Sequence, residues 1–276
     1  MSLIAIIGAG PIGGALAHKL AGRSRVGEIR LIDSNGAIAQ GKALDILQSG
    51  PVEGASASVT GADSLHAAAG ADVVVLADSA AGDGEYSGEA ALALVRRLLA
   101  GGVASPLVFA GTSQRDVLKR TITELHVAAA HAIGSAPFAL EAALRALCAV
   151  VADSSGVEVS LALVGVPPKH AVIAWEEATI SGQPLTSVLA AHEIAALSAR
   201  IPNLWPPGPY GLGSAAARVV EALCNGSRRR FTCFVDVGRA KIVAMPVELG
   251  PGGVQRIVQP ALTRLERTTL DNALAV

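Results

Sequence analysis

IAIIGAGPIG, residues 4–13, joins a short apolar run to three closely spaced glycines. The four apolar residues have the length and composition of a buried strand, and the alanine- and leucine-rich residues 15–21 begin a helix. Residues 28–32 are a second apolar run, which Asp33 follows directly. This part of the chain therefore predicts a strand, a tight glycine turn, a helix, a second strand and a terminal acid, in that order.

Each of the three glycines has a physical role in such a turn. Gly8 permits the tight turn, Gly10 allows the backbone to approach a pyrophosphate, and Gly13 lets the helix pack closely against the strand. Pro11 and Ile12 lie at the start of the helix, where unpaired N–H groups are donors for phosphate oxygens. The turn therefore predicts a dinucleotide-binding domain of the Rossmann type.

Asp33 lies twenty residues after Gly13, where a carboxylate can accept a hydrogen bond from a ribose 2′-hydroxyl. A 2′-phosphate at that place would be repelled by the carboxylate, so the sequence predicts NAD rather than NADP. The alternative is a Rossmann-type domain that has kept its turn and lost its ligand. The complete order of strand, glycines, helix, strand and acid favours a bound nicotinamide dinucleotide.

The composition limits the classes of partner. The chain has 276 residues, of which 51% are hydrophobic and 16% charged, and its net charge is -1. No nucleic-acid or anionic-membrane partner is expected, because either would select a basic surface. The low charge and the mean hydropathy of +0.48 predict a shared apolar interface, and hence a homo-oligomer.

Cys148, Cys224 and Cys233 are widely spaced and show no metal-type pairing, so we expect no metal site. Such cysteines are typical of the reduced thiols of a cytoplasmic protein. The N-terminus shows no cationic segment followed by a long apolar run, and no uncharged stretch reaches membrane-spanning length. We therefore expect a cytoplasmic protein that does not enter a membrane.

Residues 71–77 are a continuous apolar run, which indicates a strand of a parallel sheet covered on both faces. Residues 78–88 are polar, glycine-rich and acidic, and predict a loop. A short strand ending at Gly134 completes a doubly wound α/β domain, residues 1–134. In the second domain, residues 135–276, we expect helices at 136–152 and 253–270, strands at 158–164 and 172–180, and an irregular segment at 202–213.

Several segments resemble one known family. GAGPIGGALAHKLA (residues 8–21), LID (31–33) and GKALDILQSGPV (41–52) are similar to the N-terminal part of lactate/malate dehydrogenases, and closest to the malate dehydrogenase branch. Residues 162–185, 210–223 and 244–266 are similar to the C-terminal part. The resemblance implies a Rossmann-type parallel sheet followed by an α+β domain, NAD as cofactor, oxidation of 2-hydroxy acids, and assembly as dimers or tetramers.

The same resemblance indicates that the residues of the reaction are changed. The proton-accepting His of the family falls on Pro167, and the Asp that orients it falls on Leu140. The Arg that pairs with the substrate carboxylate falls on Ala143, and the Asn of the nicotinamide turn falls on Ser113. The family's mobile loop, residues 78–88, contains no Arg or Lys here.

A one-residue gap in the alignment would keep an acid at this place. It puts the family's Asp on Glu141 and its Arg on Leu144, so a carboxylate remains with no guanidinium beside it. The loop itself carries Asp78, Asp83 and Glu85, which would repel a dicarboxylate.

The turn and the resemblance together give an expected cofactor-binding set of Gly8, Gly10, Pro11, Ile12, Gly13, Asp33, Ala77 and Ser113. Lys169, His170 and His131 are the candidates to replace the family's acid/base groups. Ordinary malate or lactate turnover is not expected. Two hypotheses remain for this NAD-binding relative: an oxidoreductase acting on an unknown, uncharged or cationic small molecule, or a catalytically inactive, NAD-responsive regulatory or scaffolding pseudoenzyme.

Overall fold

A computed structural model describes residues 1–82 and 84–275. Asp83, an acid of the expected loop, therefore lies outside the described residues. The first half of the chain alternates strands and helices: β1 (Ser2–Ile7), α1 (Pro11–Ala21), β2 (Val26–Ile32), α2 (Gly36–Glu53), β3 (Ser58–Ala62), β4 (Val73–Leu76), α3 (Gly88–Ala100), β5 (Leu107–Phe109), α4 (Arg115–Thr123) and β6 (Ala132–Gly134).

The strands of this half form a parallel sheet in the order β3-β2-β1-β4-β5-β6. This is the strand order of a doubly wound dinucleotide-binding domain. Ligands of such sheets bind at the carboxyl ends of the strands where the order reverses, which here is between β1 and β4. The predicted α/β fold with a Rossmann-type sheet is confirmed, and β4 is buried along its whole length as expected.

The second half extends the same sheet with antiparallel strands. Its elements are α5 (Ala136–Val151), β7 (Val159–Ser160), β8 (Leu163–Val166), β9 (His170–Ile173), β10 (Thr179–Ile180), β11 (Gln183–Pro184), α6 (Leu185–Val188), α7 (Ala191–Ala199), α8 (Pro209–Asn225), β12 (Ser227–Asp236), β13 (Ile242–Gly250), β14 (Gly253–Ile257) and α9 (Arg264–Ala275). Beyond β6 the order continues as β12-β13-β8-β9, with β14 paired to β13. Since the sheet is continuous through Gly134, the domain division at this residue remains a prediction.

Apolar side chains cover both faces of the sheet. Leu16 of α1 and Val220 of α8 lie in the core on one face. Val95 of α3 and Leu140 of α5 lie in the core on the other face. Each fully buried side chain of this size stabilises the fold by about 2 kcal/mol relative to its exposed state. The two layers hold the carboxyl ends of β1, β4 and β5 in fixed positions.

Two segments of the second half differ from the sequence prediction. α8 begins at Pro209, inside the segment expected to be irregular, because a proline at the first helical position has no N–H group to leave unpaired. The residues from 253 onward were expected to be helical, yet they first form β14. Gly252 and Gly253 have φ of +93° and +100° and make the tight turn that follows β13.

The other expected elements are present with changed limits. α5 confirms the long helix expected at 136–152. The strand expected at 158–164 is divided into β7 and β8, and that at 172–180 into β9 and β10 around a short 3-10 helix, Trp175–Glu177. In the described part of the chain, none of the helices has both the length and the apolar character needed to cross a membrane.

Candidate functional site

The glycine turn lies at the carboxyl end of β1, and each of its glycines has a close neighbour. Gly8 has a φ of +111°, and a Cβ there would lie 2.2 Å from the Asp78 carbonyl oxygen. A Cβ on Gly13 would lie 2.0 Å from the Gly8 carbonyl oxygen, which is the close approach of helix and strand that the sequence predicts. A Cβ on Gly10 would lie 2.4 Å from Asp78 Cγ. Larger residues are therefore excluded at Gly8 and Gly13, where the contact is with the backbone, whereas at Gly10 the contact is with the Asp78 side chain.

α1 begins directly after this turn, with Pro11 in its first turn. The Ile12 N–H donates to Asp78 Oδ2 at 3.0 Å, and the Gly13 N–H donates to Asp78 Oδ1 at 2.9 Å. Asp78 is only 4% exposed. A carboxylate bound by two N–H groups at a helix N-terminus is a strong, charge-assisted contact. Asp78, which the sequence placed only in an acidic loop, is thus the cap of α1.

Asp33 lies beside the glycine turn, as expected, and is only 1% exposed. Its Oδ2 accepts from the N–H groups of Ala9 and Ala80, each at 2.9 Å. Its Oδ1 accepts from the Asn35 N–H at 2.9 Å. The carboxylate therefore connects the end of β2, the glycine turn and the segment after β4, and both of its oxygens already have donors.

Lys42 of α2 lies among these acids. Its Nζ donates to the carbonyl oxygens of Ala9, at 2.5 Å, and Gly10, at 3.2 Å. Burial raises the pKa of Asp78, whereas the N–H donors of α1 and the charge of Lys42 act in the opposite direction. The sequence analysis missed Lys42. The signal for it was its place in GKALD, on the helix that follows Asp33.

A second carboxylate lies at the end of β5. Glu85 Oε1 accepts from the Thr112 N–H at 2.8 Å, and Oε2 accepts from the Ser113 N–H at 2.7 Å. The hydroxyls of both residues also donate to this carboxylate. A Cβ on Gly111 would lie 2.5 Å from Glu85 Cδ. Ser113, expected beside the nicotinamide, is thus bound to an acid of the loop.

Gln114 is a buried residue of the same turn. Its Oε1 accepts from the Gly111 N–H and its Nε2 donates to the Ala77 carbonyl oxygen, both at 2.9 Å. The amide therefore fastens the end of β5 to the end of β4. Ala77, a member of the expected cofactor set, is fully buried and contributes its carbonyl to this link. A lone glutamine carries no sequence signal for such a role.

The segment expected to carry the reaction is the hairpin of β8 and β9. Val166 pairs with His170, so Pro167, Pro168 and Lys169 form its turn. Pro167 is buried, Lys169 is exposed and His170 is half-buried. Within the residues that the structure describes, no carboxylate binds the side chain of Lys169 or His170.

A row of paired residues relates this hairpin to the end of β6. Gly134 pairs with Phe234, Phe234 with Ala244, and Ala244 with Gly165. Three strand spacings separate the two ends of the row, which is roughly 14 Å. The hairpin turn therefore lies level with the end of β6, on the far side of β12 and β13.

The Asp that orients the family's histidine falls on Leu140 of α5, or on Glu141 if the alignment has a one-residue gap. Leu140 is fully buried in the core, and Ala143 is half-buried. Glu141 is 6% exposed and accepts a hydrogen bond from the Thr232 hydroxyl on β12. Burial raises the pKa of Glu141 to about 7, against the opposite effects of that hydrogen bond and the charge of Arg145. The Glu141 carboxylate is thus bound by β12, and its partner is a hydroxyl, not an imidazole.

His131 lies apart from this region. It ends a short 3-10 helix, Ala129–His131, and precedes β6. β6 runs parallel to β5 from Ala132 to Gly134, and the turn with Ser113 follows the carboxyl end of β5. His131 is therefore at the amino edge of the sheet. The crevice where ligands of such sheets bind, at the carboxyl ends of β1 and β4, lies at the opposite edge. The structure therefore does not bring His131, a candidate acid/base group, to the nicotinamide side, because the strand begins only after this residue.

The first part of the chain is similar to a known type of domain. The family model described as lactate/malate dehydrogenase, NAD binding domain, matches residues 2–120. Residues 2–120 are therefore similar to the NAD-binding domain of lactate/malate dehydrogenases. NAD is accordingly the cofactor of this domain, which confirms the prediction made from the glycine turn.

Similarity to individual proteins of this family extends over nearly the whole chain. The malate dehydrogenase of Thermomicrobium roseum is 28% identical over 288 aligned residues, which cover 97% of this chain and 93% of that protein. The malate dehydrogenase of Roseiflexus is 26% identical and covers 93% of this chain, with 90% of that protein aligned. These shares show that the chain has about the length of its relatives.

Solved structures share the fold. The malate dehydrogenase from Aeropyrum pernix matches with a TM-score of 0.87 at 21% identity, over 99% of this chain and 95% of that chain. The minor L-lactate dehydrogenase from Enterococcus mundtii matches with a TM-score of 0.85 at 20% identity, again over 99% and 95%. At these identities the matches establish the architecture of both halves, and the chemistry has to be argued from the residues.

The backbone of the crevice fits a dinucleotide, whereas a side chain competes for the same donors. Gly10 leaves the close approach that a pyrophosphate requires, and the N–H groups of Ile12 and Gly13 are donors of the kind that phosphates bind. In this structure the Asp78 carboxylate lies against Gly10 and accepts from both N–H groups. A pyrophosphate and Asp78 cannot bind these donors at the same time.

Proposed function

We propose that this protein is an NAD-dependent oxidoreductase of the lactate/malate dehydrogenase type whose substrate is neither malate nor lactate. The NAD-binding domain supports the cofactor and the reaction class. The exclusion of malate and lactate rests on residues in the C-terminal half of the chain. Pro167 turns the β8–β9 hairpin, Leu140 is buried in the core, and Ala143 lies beside it on α5. No proton carrier or anion partner stands at these positions.

Without these groups, both the rate with malate or lactate and the binding of these substrates should fall strongly. A general acid or base contributes about 10²–10⁴-fold to a rate. A buried carboxylate without a cationic partner costs roughly 3–5 kcal/mol, which is about 10²–10⁴-fold in binding. Asp78 and Glu85 add negative charge to the crevice and disfavour a dicarboxylate further. An uncharged or cationic substrate is therefore favoured.

Lys169 and His170 are the proposed acid/base groups. Both lie at the β8–β9 turn, beside the position where the family resemblance places its histidine. An imidazole or an amine can exchange a proton with a hydroxyl or amine substrate as hydride leaves for the nicotinamide. His131 is omitted from the proposed set because it lies at the opposite edge of the sheet.

A second candidate function is supported by the crevice itself. Asp78 and Glu85 bind the donors of both cofactor turns, and no carboxylate orients His170 within the described residues. A domain that binds NAD without transferring hydride needs no oriented acid/base group. These two features favour an NAD-responsive regulatory or scaffolding pseudoenzyme if hydride transfer is absent.

Hydride transfer followed by the absorbance of NADH tests the proposal. We expect no rate above background with malate or lactate, and a rate with a member of a panel of neutral alcohols and amines. Lys169→Ala or His170→Ala should abolish that rate. The exposed Lys119→Ala and His192→Ala variants are matched controls and should retain it. A robust rate with malate or lactate would refute the proposal, and NAD binding without turnover of any substrate would favour the pseudoenzyme.

We propose that the chain forms a homo-oligomer. Leu44, Leu47 and Val52 of α2 are 54%, 45% and 87% exposed, and Tyr210 of α8 is 81% exposed. Neighbouring apolar side chains on one helix support an apolar interface. Size-exclusion chromatography with light scattering should give at least a dimer, and a monomer at every concentration would contradict this.

The cytoplasm is the proposed location. Cys148, Cys224 and Cys233 are free thiols, and burial raises the pKa of Cys148 to about 11, so that it stays protonated. Among the described residues, no group of three or more His, Cys, Asp or Glu is placed to hold a metal ion. Cell fractionation should recover the protein with cytosolic markers, and recovery with exported proteins would contradict the proposal.

A further inference from the structure

The segment after β4 folds back as an acidic hairpin, which we define by its described residues, 78–82 and 84–87. Asp78 and Glu85 form an antiparallel bridge, and the Ser79 N–H donates to the Gly84 carbonyl oxygen at 2.9 Å. Side chains of directly paired residues lie on the same side of a hairpin. The bridge therefore directs both carboxylates to one side, toward the carboxyl ends of β1 and β5.

The two carboxylates take the donors of both turns that line the crevice. Asp78 accepts from the N–H groups of Ile12 and Gly13 at the start of α1. Glu85 accepts from the N–H and hydroxyl groups of Thr112 and Ser113 after β5. An extended ligand with anionic and hydroxyl-bearing parts would need these same groups.

Asp33 fastens the hairpin from the β2 side. The Ala80 N–H donates to the same Asp33 oxygen that accepts from Ala9 of the glycine turn. Asp33 therefore binds the hairpin and the turn together, and each of its oxygens already accepts at least one hydrogen bond. Lys42, bound to the carbonyl oxygens of the turn, places a positive charge near the acids.

We propose that the acidic hairpin fills the NAD-binding crevice when the cofactor is absent. NAD then binds only after the carboxylates of Asp78 and Glu85 release their hydrogen-bond donors. The inference rests on NAD being the ligand of this domain. A carboxylate and a pyrophosphate are both anions that require the Ile12 and Gly13 N–H groups, so one excludes the other. The apparent dissociation constant then equals the intrinsic constant divided by the fraction of molecules with the hairpin released.

Removing either carboxylate should therefore strengthen cofactor binding. Each carboxylate makes charge-assisted hydrogen bonds that hold the hairpin closed. We expect Asp78→Ala to bind NADH about 10- to 100-fold more tightly than the unmodified chain, and Glu85→Gln about 10-fold more tightly. Asp78→Asn retains one acceptor oxygen for α1 and should shift binding in the same direction by less.

Glu89→Gln is the matched control. It removes the same charge four residues after Glu85, on an exposed side chain of α3 that pairs with Arg120. It lies outside the donor network of the crevice, so NADH affinity should be unchanged. Thermal unfolding followed by circular dichroism verifies that each variant is folded, and Glu85→Gln keeps the test valid where Asp78→Ala loses the cap of α1.

Titration of the full chain with NADH, followed by fluorescence or calorimetry, gives the affinities. Hydrogen exchange gives an independent result: NAD should accelerate exchange at the Ala80 amide, whose acceptor Asp33 lies outside the hairpin, while Ile12 and Gly13 stay protected.

Equal or weaker NADH affinity in Asp78→Asn and Glu85→Gln would overturn the proposal, and so would the absence of binding in every variant. Absence of turnover with intact binding would count only against the proposed oxidoreductase activity.

Discussion

The glycine turn after β1 and the β8–β9 hairpin should supply the two halves of a dehydrogenase-type site, and they are built differently. In the turn, added Cβ atoms on Gly8 and Gly13 would lie 2.2 and 2.0 Å from backbone oxygens, so the backbone admits one residue type. In the hairpin, Lys169 and His170 have no carboxylate partner within the described residues. The turn is thus fixed by steric constraints on its backbone, whereas a reaction site at the hairpin depends on which side chains stand there.

The largest expected effect tests how strictly the turn excludes side chains. Gly8→Ala places a Cβ against the Asp78 carbonyl at a φ of +111°. We expect a loss of roughly 3–5 kcal/mol in the free energy of unfolding, from overpacking and backbone strain together. Urea unfolding measures it, with Gly41→Ala on the open side of α2 as the control, which should be stabilised by about 0.5–1 kcal/mol. A loss below about 1 kcal/mol would show that the turn tolerates a side chain.

A second prediction concerns the buried acid of the reaction half. The folded-state pKa of Glu141, about 7, lies above the ordinary value of 4.5, so the folded state binds the proton more tightly. The free energy of unfolding should therefore fall as pH rises from 4.5 to 7, by up to about 3 kcal/mol, and level off above. Glu141→Gln should remove this slope and the exposed Glu176→Gln should keep it. Urea unfolding across this pH range measures the slope. An unchanged slope in Glu141→Gln would show that Glu141 is not the cause of the pH dependence.

Asp33→Asn tests whether the acid after β2 stabilises the fold, favours NAD over NADP, or does both. An amide has one acceptor oxygen, so a buried N–H of Ala9, Ala80 or Asn35 loses its partner. We expect a loss of about 1–3 kcal/mol in stability. Relative binding of NADP to NAD should rise as the charge that repels a 2′-phosphate is removed. Chemical unfolding and paired titrations measure both effects; an unchanged ratio would leave Asp33 with a structural role only.

The smallest effects are expected at the β8–β9 hairpin. Lys169→Ala and His170→Ala remove side chains with no carboxylate partner in the described chain, so the unfolding midpoint should change by less than about 2 °C. NADH affinity should stay the same. Differential scanning fluorimetry and NADH titration check both. A marked loss of affinity in either variant would mean that the hairpin belongs to the cofactor half.

The outcome for particular elements shows how far sequence reasoning reaches. The glycine turn, β4 and α5 follow from local spacing and apolar runs, and they are found where expected. β14 was mistaken for helix because Val254 and Ile257 lie three residues apart, which matches the helical period. The glycines before it make a turn that directs the chain back along β13. Local periodicity cannot distinguish a short strand from a helix when a neighbouring strand supplies the hydrogen bonds.

The sequence by itself determined the glycine turn, the parallel sheet and the NAD-binding class of the first domain, because these depend on residues close together in the chain. Only the tertiary structure decided where the carboxylates go. Asp78 meets Gly13 across 65 positions of sequence, and Glu141 meets Thr232 across 91. Such contacts depend on which strand ends the fold brings together, and no spacing rule along the chain encodes them. The sequence therefore predicts the N–H donors that a dinucleotide would use, but it does not predict that Asp78 binds them in this structure.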